Sequence, residues 1–304
     1  MIRLTVIIAT YNRSESLMRT LEGCLCQSLP KELWELIVVD NNSTDDTALR
    51  VTEFMKTHDS HINMRLFLER EQGISPARNR GFKEGVGEYF AFLDDDEVPA
   101  PNWAEVYLEF FDSHPEAAEA GGKMIPLYEY ETPKWLSKYT EVLLSGLMDK
   151  GEKMRPFRKG EYPFGGNIAL RRSTVEKYGM FSSSLGRTGK KLLGGEEKDY
   201  AYRLQVAGET IWYVPQSRID HVIPRERLTR AFVVRLSKMV GTSERLRSLN
   251  VSRWAYVKRL LAEAVKWAGT LVLALWYVIS FVPAKGGYLV IMRWNITRGL
   301  LGLD

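Results

Sequence analysis

Tyr89-Phe90-Ala91-Phe92-Leu93-Asp94-Asp95-Asp96-Glu97 is the stretch that decides the fold. Five apolar residues are too few for a helix, and their lack of alternation predicts a strand, Tyr89–Leu93, buried on both faces. Carboxylates follow at once. Clustered carboxylates repel one another, and holding them at a strand end costs stability unless a cation neutralises them. Hard divalent ions such as Mg²⁺ or Mn²⁺ take oxygen ligands and bind through one or two carboxylates plus substrate phosphates. A solvated acidic turn is the competing reading. The position of the cluster relative to the rest of the sheet separates the two.

Upstream, strand and helix patterns alternate. Leu4–Ala9 is a short apolar strand, and Ser14 to Leu29 is helical until Pro30 stops it. Leu36–Val39 is a second strand ending at Asp40. Ser43 can cap a helix through Thr57, with Asp45 and Asp46 in its first turn, where the helix dipole favours acids. Leu66–Leu68 is a third strand, and Ser75-Pro76 opens another helix. This alternation predicts βαβ units around a parallel sheet. Ligands of such sheets lie outside the carboxyl ends of the strands. Thr10-Tyr11-Asn12-Arg13, Asp40-Asn41-Asn42 and Asp94-Asp95-Asp96 all fall at those ends.

A G-x-G-x-x-G loop is absent after the first strand, which argues against a nicotinamide-dinucleotide enzyme. Asp40 can accept hydrogen bonds from a base or ribose, although capping of the following helix competes for it. In Gly73-Ile74-Ser75-Pro76-Ala77-Arg78-Asn79, Arg78 lies near a helix N-terminus, where both cation and dipole favour phosphate.

The chain has 304 residues, 45 % of them apolar, and two cysteines. These values exclude a disordered chain, collagen and a coiled coil, and suit one large α/β domain or two small ones. Cys24 and Cys26 form neither a disulfide framework nor a zinc spacing and read as small buried or half-buried thiols. Met1-Ile2-Arg3-Leu4 runs straight into a strand pattern with no secretory signal, so the cytosol is the expected compartment.

The net charge of +4 conceals two unlike regions. Residues 1–217 carry 27 basic and 33 acidic side chains; residues 218–304 carry 15 basic and 5 acidic. In the tail, Trp267–Val282 is 16 residues without a charge, ended by Pro283, with a hinge expected at Gly286-Gly287. A second apolar stretch, Tyr288–Leu303, carries only Arg293 and Arg298. A spanning helix needs about 20 apolar residues, so a re-entrant or interfacial hairpin fits better than a single span. The basic residues before it suit anionic lipid headgroups. The aromatic, apolar character favours a membrane over nucleic acid. A soluble alternative has these helices pack on the preceding domain or pair two subunits into a homo-oligomer.

The ordered series Thr10-Tyr11-Asn12, Asp40-Asn41-Asn42-Ser43-Thr44-Asp45, Gly73-x-Ser75-x-Ala77-Arg78-Asn79-x-Gly81 and Leu93-Asp94-Asp95-Asp96 resembles the inverting glycosyltransferase family 2. The resemblance continues through Phe164-Gly165-Gly166-Asn167, Gly179-x-Phe181, Gly194-Gly195-Glu196-Glu197 and Tyr213-x-Pro215-x(5)-His221. It implies an α/β GT-A nucleotide-sugar-binding fold: a mostly parallel central sheet flanked by helices, over residues 1–221. Residues 222–304 would be a helical basic and apolar appendage. It also implies a nucleoside-diphosphate sugar donor, with UDP the expected nucleotide. Asp40 would contact the base, with Thr10 and Tyr11 lining its pocket. Asn12 and Asp95 join the donor site, Asp94 lies near the ribose, and Asp96 with His221 holds the Mg²⁺ or Mn²⁺. The family's Glu-Asp motif supplies the catalytic base. This chain departs there, with Glu196-Glu197; Glu197 is the aligned residue, and Glu196 stays open as the alternative.

Metal and Arg78 would stabilise the departing nucleoside diphosphate. Val290-Ile291-Met292-Arg293-Trp294 lacks the leading polar residue of the processive synthases, so transfer of one sugar at a time is expected. Residues 128–162 would help form the acceptor side. The expected acceptor is a glycan or lipid-linked glycan at the inner face of the plasma membrane, in polysaccharide or cell-surface glycan synthesis. Two rival classes are a nucleotidyltransferase, with Arg13 as its phosphate contact, and an inactive sugar-binding scaffold. The intact carboxylates argue against the second.

Overall fold

The computed structural model describes residues 1–189 and 193–303. The chain divides into two compact units. The first comprises Met1–Pro126, Met148–Gly189 and Glu196–Val222; the second comprises Leu127–Leu147, Lys190–Gly195 and Ile223–Asp304.

In the first unit, β1 (Leu4–Thr10), α1 (Ser14–Leu25), β2 (Trp34–Asp40), α2 (Thr47–His58), β3 (Met64–Leu68), α3 (Ile74–Glu84) and β4 (Tyr89–Asp94) are the expected alternation. They are followed by β5 (Glu97–Pro99), α4 (Trp103–Ser113) and β6 (Ala117–Tyr128). After α5 (Lys138–Ser145), which belongs to the second unit, come β7 (Arg155–Pro156), β8 (Ile168–Arg171), α6 (Arg172–Tyr178), α7 (Glu196–Val206) and β9 (Thr210–Ile223). The sheet order is β3-β2-β1-β4-β8-β6-β9-β5, with β7 on β9.

Parallel pairing runs through β3-β2-β1-β4, and β4–β8, β8–β6, β9–β5 and β9–β7 are antiparallel. The parallel half follows from its sequence. Every residue of β2 is buried, as a strand covered on both faces by crossover helices must be. The register pairs Thr10 with Asp40 and Ala9 with Asp94, so the polar residues that end β1, β2 and β4 lie side by side.

Local hydrogen bonds move several element boundaries. α1 stops at Leu25, ahead of Pro30, because Gln27 Nε2 and the Ser28 N–H bond instead to the carbonyls of Ala100 and Pro101. α2 starts at Thr47 rather than after Ser43. The Ser43 N–H donates to Asp40 Oδ1, Ser43 Oγ accepts from the Asn12 N–H, and Asp45 Oδ1 takes the Thr47 N–H. Cys24 is buried and Cys26 exposed, both as free thiols.

Asn167 shows why the residues before β8 are held so tightly. Its Oδ1 accepts from Trp103 Nε1 at 2.8 Å and the Tyr107 hydroxyl at 2.7 Å. Its Nδ2 donates to the carbonyls of Lys123 at 3.0 Å and Ser217 at 2.9 Å. One buried amide thus joins α4, β6, β8 and β9.

The second unit holds α5 and three long helices, α8 (Arg230–Val251), α9 (Arg253–Ile279) and α10 (Pro283–Leu301). α9 reaches well upstream of the charge-free stretch because Ser252 caps it, accepting the Ala255 N–H. The hinge expected at Gly286-Gly287 is instead part of α10. The reversal occurs at Ser280–Val282, where Phe281 adopts φ +59°, and Gly286 lets α10 close against the backbone of Ala274.

Truncating Asn167 strands four buried groups, each costing about 1–3 kcal/mol if left unpaired. Asn167→Ala is therefore expected to lower the thermal midpoint by roughly ten degrees. Calorimetry checks this, and an unchanged midpoint contradicts the bridging role.

Candidate active site

The short turn from β4 to β5 carries the acidic cluster. Asp96 offers its carbonyl to the Val222 N–H at 2.8 Å, which sets the turn against β9. Antiparallel register then pairs Glu97 with His221, and His221 Nε2 lies 3.4 Å from Asp96 Oδ2. Asp94, Asp96 and Glu97 each present a carboxylate oxygen within 4.8 Å of the others.

Two arginines balance these charges. Arg13 Nη1 lies 3.0 Å from Asp95 Oδ1, and its Nη2 lies 2.9 Å from Asp96 Oδ2. Thr10 Oγ1 also donates to Asp95, at 2.8 Å. Burial raises the Asp95 carboxyl to about 6 even though Arg13 pulls it down. Arg78 is 2 % exposed and bridges Asp94 Oδ1 at 2.7 Å to Glu196 Oε1 at 3.1 Å. Burial opposes its charge, but Asp94 and Glu196 hold its pKa above the ordinary value.

Glycines make this approach possible. A Cβ on Gly165 would sit 2.8 Å from Arg78 Nη1, and one on Gly166 would sit 2.0 Å from Glu97 Oε1. The Phe164-Gly165-Gly166-Asn167 motif thus lays bare backbone against both an arginine and a carboxylate, and Asn167 anchors it from behind.

The metal-binding reading meets a direct test in Glu97. Its Oε2 accepts the Asp94 N–H at 2.8 Å, while Oε1 is buried with no hydrogen-bond partner among the described residues. Burial, then the charges of Asp94 and Asp96, push this carboxyl well above its ordinary range. An orphaned oxygen in a set of hard donors fits a divalent cation.

The base candidates open α7. Glu196 is buried and committed to Arg78; burial and then the charge of Glu197 raise its pKa. Glu197 is half-buried, and its Oε2 has no partner among the described residues. Arg78 therefore ties the β4 carboxylate to the helix that carries both glutamates. Asp40 is 4 % exposed, and its Oδ1 closes the turn through Ser43. Asn12, at φ +52°, bonds through its side chain to Thr44, so it staples the β1 and β2 ends together. Tyr11 is half-buried beside them.

Three participants escaped the sequence reading or received no role in it. Arg13 was legible only as the contact of a rival enzyme class, yet it caps Asp95 and Asp96. Glu97 directly follows three aspartates, and nothing in the sequence sets it apart from them. Glu119 gave one signal, a lone acid in the apolar strand Ala117-Ala118-Glu119-Ala120. It is fully buried, and neither carboxyl oxygen has a partner among the described residues. Burial raises its pKa well above 4.5, and the charge of Glu197 adds to the rise.

This fold and acidic site define a glycosyltransferase of the GT-A type. The profile of glycosyl transferase family 2 matches residues 5–179, and the chain belongs to that family. It is 27 % identical over 270 residues to the glucosyl-dolichyl phosphate glucuronosyltransferase of Haloferax volcanii, covering 85 % of this chain and 83 % of the relative. The succinoglycan biosynthesis protein ExoM of Rhizobium meliloti is 27 % identical over 240 residues, covering 75 % of this chain and 69 % of that one. Among solved structures, the mannosyltransferase of Pyrobaculum calidifontis in complex with GDP-Man and Mn²⁺ superposes with a TM-score of 0.65 at 18 % identity. That alignment covers 99 % of this chain and 88 % of that one. GalNAc-T7 with UDP, GalNAc and Mn²⁺ superposes with a TM-score of 0.57 at 19 % identity, over 80 % of this chain and 48 % of that one.

Glu119 stays protonated in the fold at pH values where the unfolded chain has already ionised it. The folded state then binds more protons, so this residue's contribution to stability is whole below about pH 4.5 and is lost as pH rises. Glu119→Gln removes that loss. Its thermal midpoint is expected to gain on the wild type as pH rises above about 4.5, and a gap independent of pH overturns the assignment.

Proposed function

We propose that the chain transfers one sugar, with inversion, from a nucleoside-diphosphate sugar to a hydroxyl of a glycan or lipid-linked acceptor at a membrane face. UDP is the proposed nucleotide. The observation that carries the reading is the Arg78 bridge from Asp94 to Glu196, which couples the carboxylate cluster at the sheet edge to the first turn of α7. A nucleotidyltransferase has no need of a base helix anchored in this way. The names of the Haloferax and Rhizobium relatives support a lipid-linked or polysaccharide acceptor.

In this reading Glu197 is the general base. Glu196 is buried and its carboxylate is engaged by Arg78, so it is not free to approach an acceptor hydroxyl. Glu197 is half-buried and not so committed. Its carboxylate removes the acceptor's hydroxyl proton as that oxygen attacks the anomeric carbon. The bond from that carbon to the donor's phosphate oxygen breaks in the same displacement, which inverts the centre. Thr10, Tyr11, Asn12 and Asp40 line the proposed nucleoside pocket, with Asp94 and Asp95 beside the ribose and diphosphate. A divalent Mg²⁺ or Mn²⁺ held by Asp94, Asp96 and Glu97, with His221 adjoining, would supply positive charge to the departing diphosphate. Arg13 faces the same carboxylates and is better placed than the fully buried Arg78 to meet a phosphate from outside.

A panel of nucleotide sugars assayed for donor hydrolysis and transfer tests the class, and the product's anomeric configuration by NMR tests the inversion. A retained configuration, or nucleotidyl transfer instead, refutes the proposal. Glu197→Gln is expected to lower kcat by about a thousandfold while donor affinity changes little. Near-normal turnover in that variant rules out the base assignment. Chelation of divalent metal should abolish transfer and Asp96→Asn should weaken donor binding; undiminished activity in EDTA removes the metal from the mechanism.

A further inference from the structure

Within the second unit, α9 has an inverted distribution of polarity. It turns its polar side chains inward. Glu263, 3 % exposed, accepts from Arg259 Nη1 at 2.8 Å and from Arg293 Nη1 on α10 at 3.0 Å. Arg259 Nε reaches Glu244 Oε2 on α8 at 3.0 Å. Arg293 Nε donates to Thr270 Oγ1 at 3.2 Å, and Trp267 Nε1 donates to Thr297 Oγ1 at 2.9 Å. The outward positions are the reverse. Leu261, Val265, Leu271, Val272, Leu275, Trp276, Val278 and Ile279 are all exposed, and Phe281 at the turn is 92 % exposed.

A helix packed on a soluble protein in water puts its apolar stripe inside and its charges outside. Here the charges form the seam and the hydrocarbon faces out, as for helices whose solvent is lipid and whose ionisable groups pair inside the bundle. The packing agrees. A Cβ on Gly241 of α8 would lie 2.0 Å from the Ile296 carbonyl oxygen, and one on Gly299 of α10 would lie 2.0 Å from that of Lys238. The two backbones cross in direct contact through small residues, which is how helices associate where burial of apolar side chains offers no drive.

Two observations favour a bilayer over a second copy of the chain. From Leu261 to Ile279 the outward face carries Lys266 as its one polar side chain, whereas protein interfaces place about one hydrogen bond per 100–200 Å². That stretch rises about 28 Å at 1.5 Å per residue, close to the hydrocarbon thickness of a membrane. Its N-terminal end is basic and aromatic, with exposed Arg253, Trp254 and Lys258, suited to anionic headgroups.

We propose that the outward face of α9, from Leu261 to Phe281, is a lipid-contacting surface that beds the protein in an anionic bilayer, with Arg253 and Lys258 at headgroup level. Its purpose rests on the proposed membrane-borne acceptor, but its existence is testable separately.

Purified full-length protein is mixed with vesicles of phosphatidylcholine and phosphatidylglycerol and floated on a density gradient. The wild type should float, and Val272→Glu combined with Leu275→Glu should reduce the floated fraction at least tenfold with donor hydrolysis retained. Arg253→Glu with Lys258→Glu should weaken flotation on the anionic vesicles and spare it on neutral ones. Because the glutamate variants could misfold, an environment-sensitive dye on Leu275→Cys in a Cys26→Ser background provides a second reading. A blue shift on adding vesicles supports the surface, and an unchanged spectrum with a wild type that stays unbound overturns it. A wild type that stays unbound but dimerises in solution, with the dimer lost in the glutamate variant, overturns it in favour of a second copy. Flotation without transfer to a polyprenyl-linked acceptor refutes the lipid-linked acceptor and leaves the surface standing.

Discussion

One buried guanidinium organises the candidate active site. Arg78 is out of contact with solvent, so its charge must be met from within the protein, and Asp94 and Glu196 meet it from two different elements. Asp94 ends β4, and Glu196 begins α7 after a long excursion of the chain. Removing either partner leaves a charge in a place without water. The constraint reaches further, because Gly165 must lack a side chain for the loop before β8 to pass over the same guanidinium. That loop in turn depends on Asn167, whose amide joins the helix α4 to strands of the sheet.

The carboxylates show how the site manages like charge. Asp95 and Asp96 are offset by Arg13, Asp94 by Arg78, and Glu97 by a backbone amide alone at one oxygen. The last is the imperfect case, with burial and two neighbouring aspartates acting against its ionisation. A site evolved only for stability would not keep it. Such a group is understandable where a cation and an anionic donor complete the balance. Glu119, buried beside the field of Glu197, extends this acidic character behind the base helix.

The modest net charge of the chain is the sum of two opposite arrangements. The first unit surrounds acidic groups with aliphatic and aromatic core. In the second, α9 encloses its ionic groups in a seam and presents hydrocarbon outward. Both follow from the cost of an unpaired charge away from water. They differ in which side of the helix or sheet water is expected to reach.

Periodicity and punctuation in the sequence were enough for β1 to β4, because a strand buried on both faces reads as an unbroken apolar run and its polar end marks the sheet edge. The ordered motifs were enough for the family. The boundaries of α1 and α2 were not legible, since they depend on distant carbonyls and on the Asn12–Ser43 contact, which join segments far apart in the chain. The antiparallel pairing of the later strands was not legible for the same reason: β6, β8 and β9 draw their partners from across the fold rather than from the next segment. The residues of the site were therefore written in the sequence, and so was its acidic chemistry. Which arginine is buried, which carboxylate oxygens lack a partner among the described residues and which face of α9 is bare were decided only by tertiary structure, because each depends on distances between residues that the chain order does not encode.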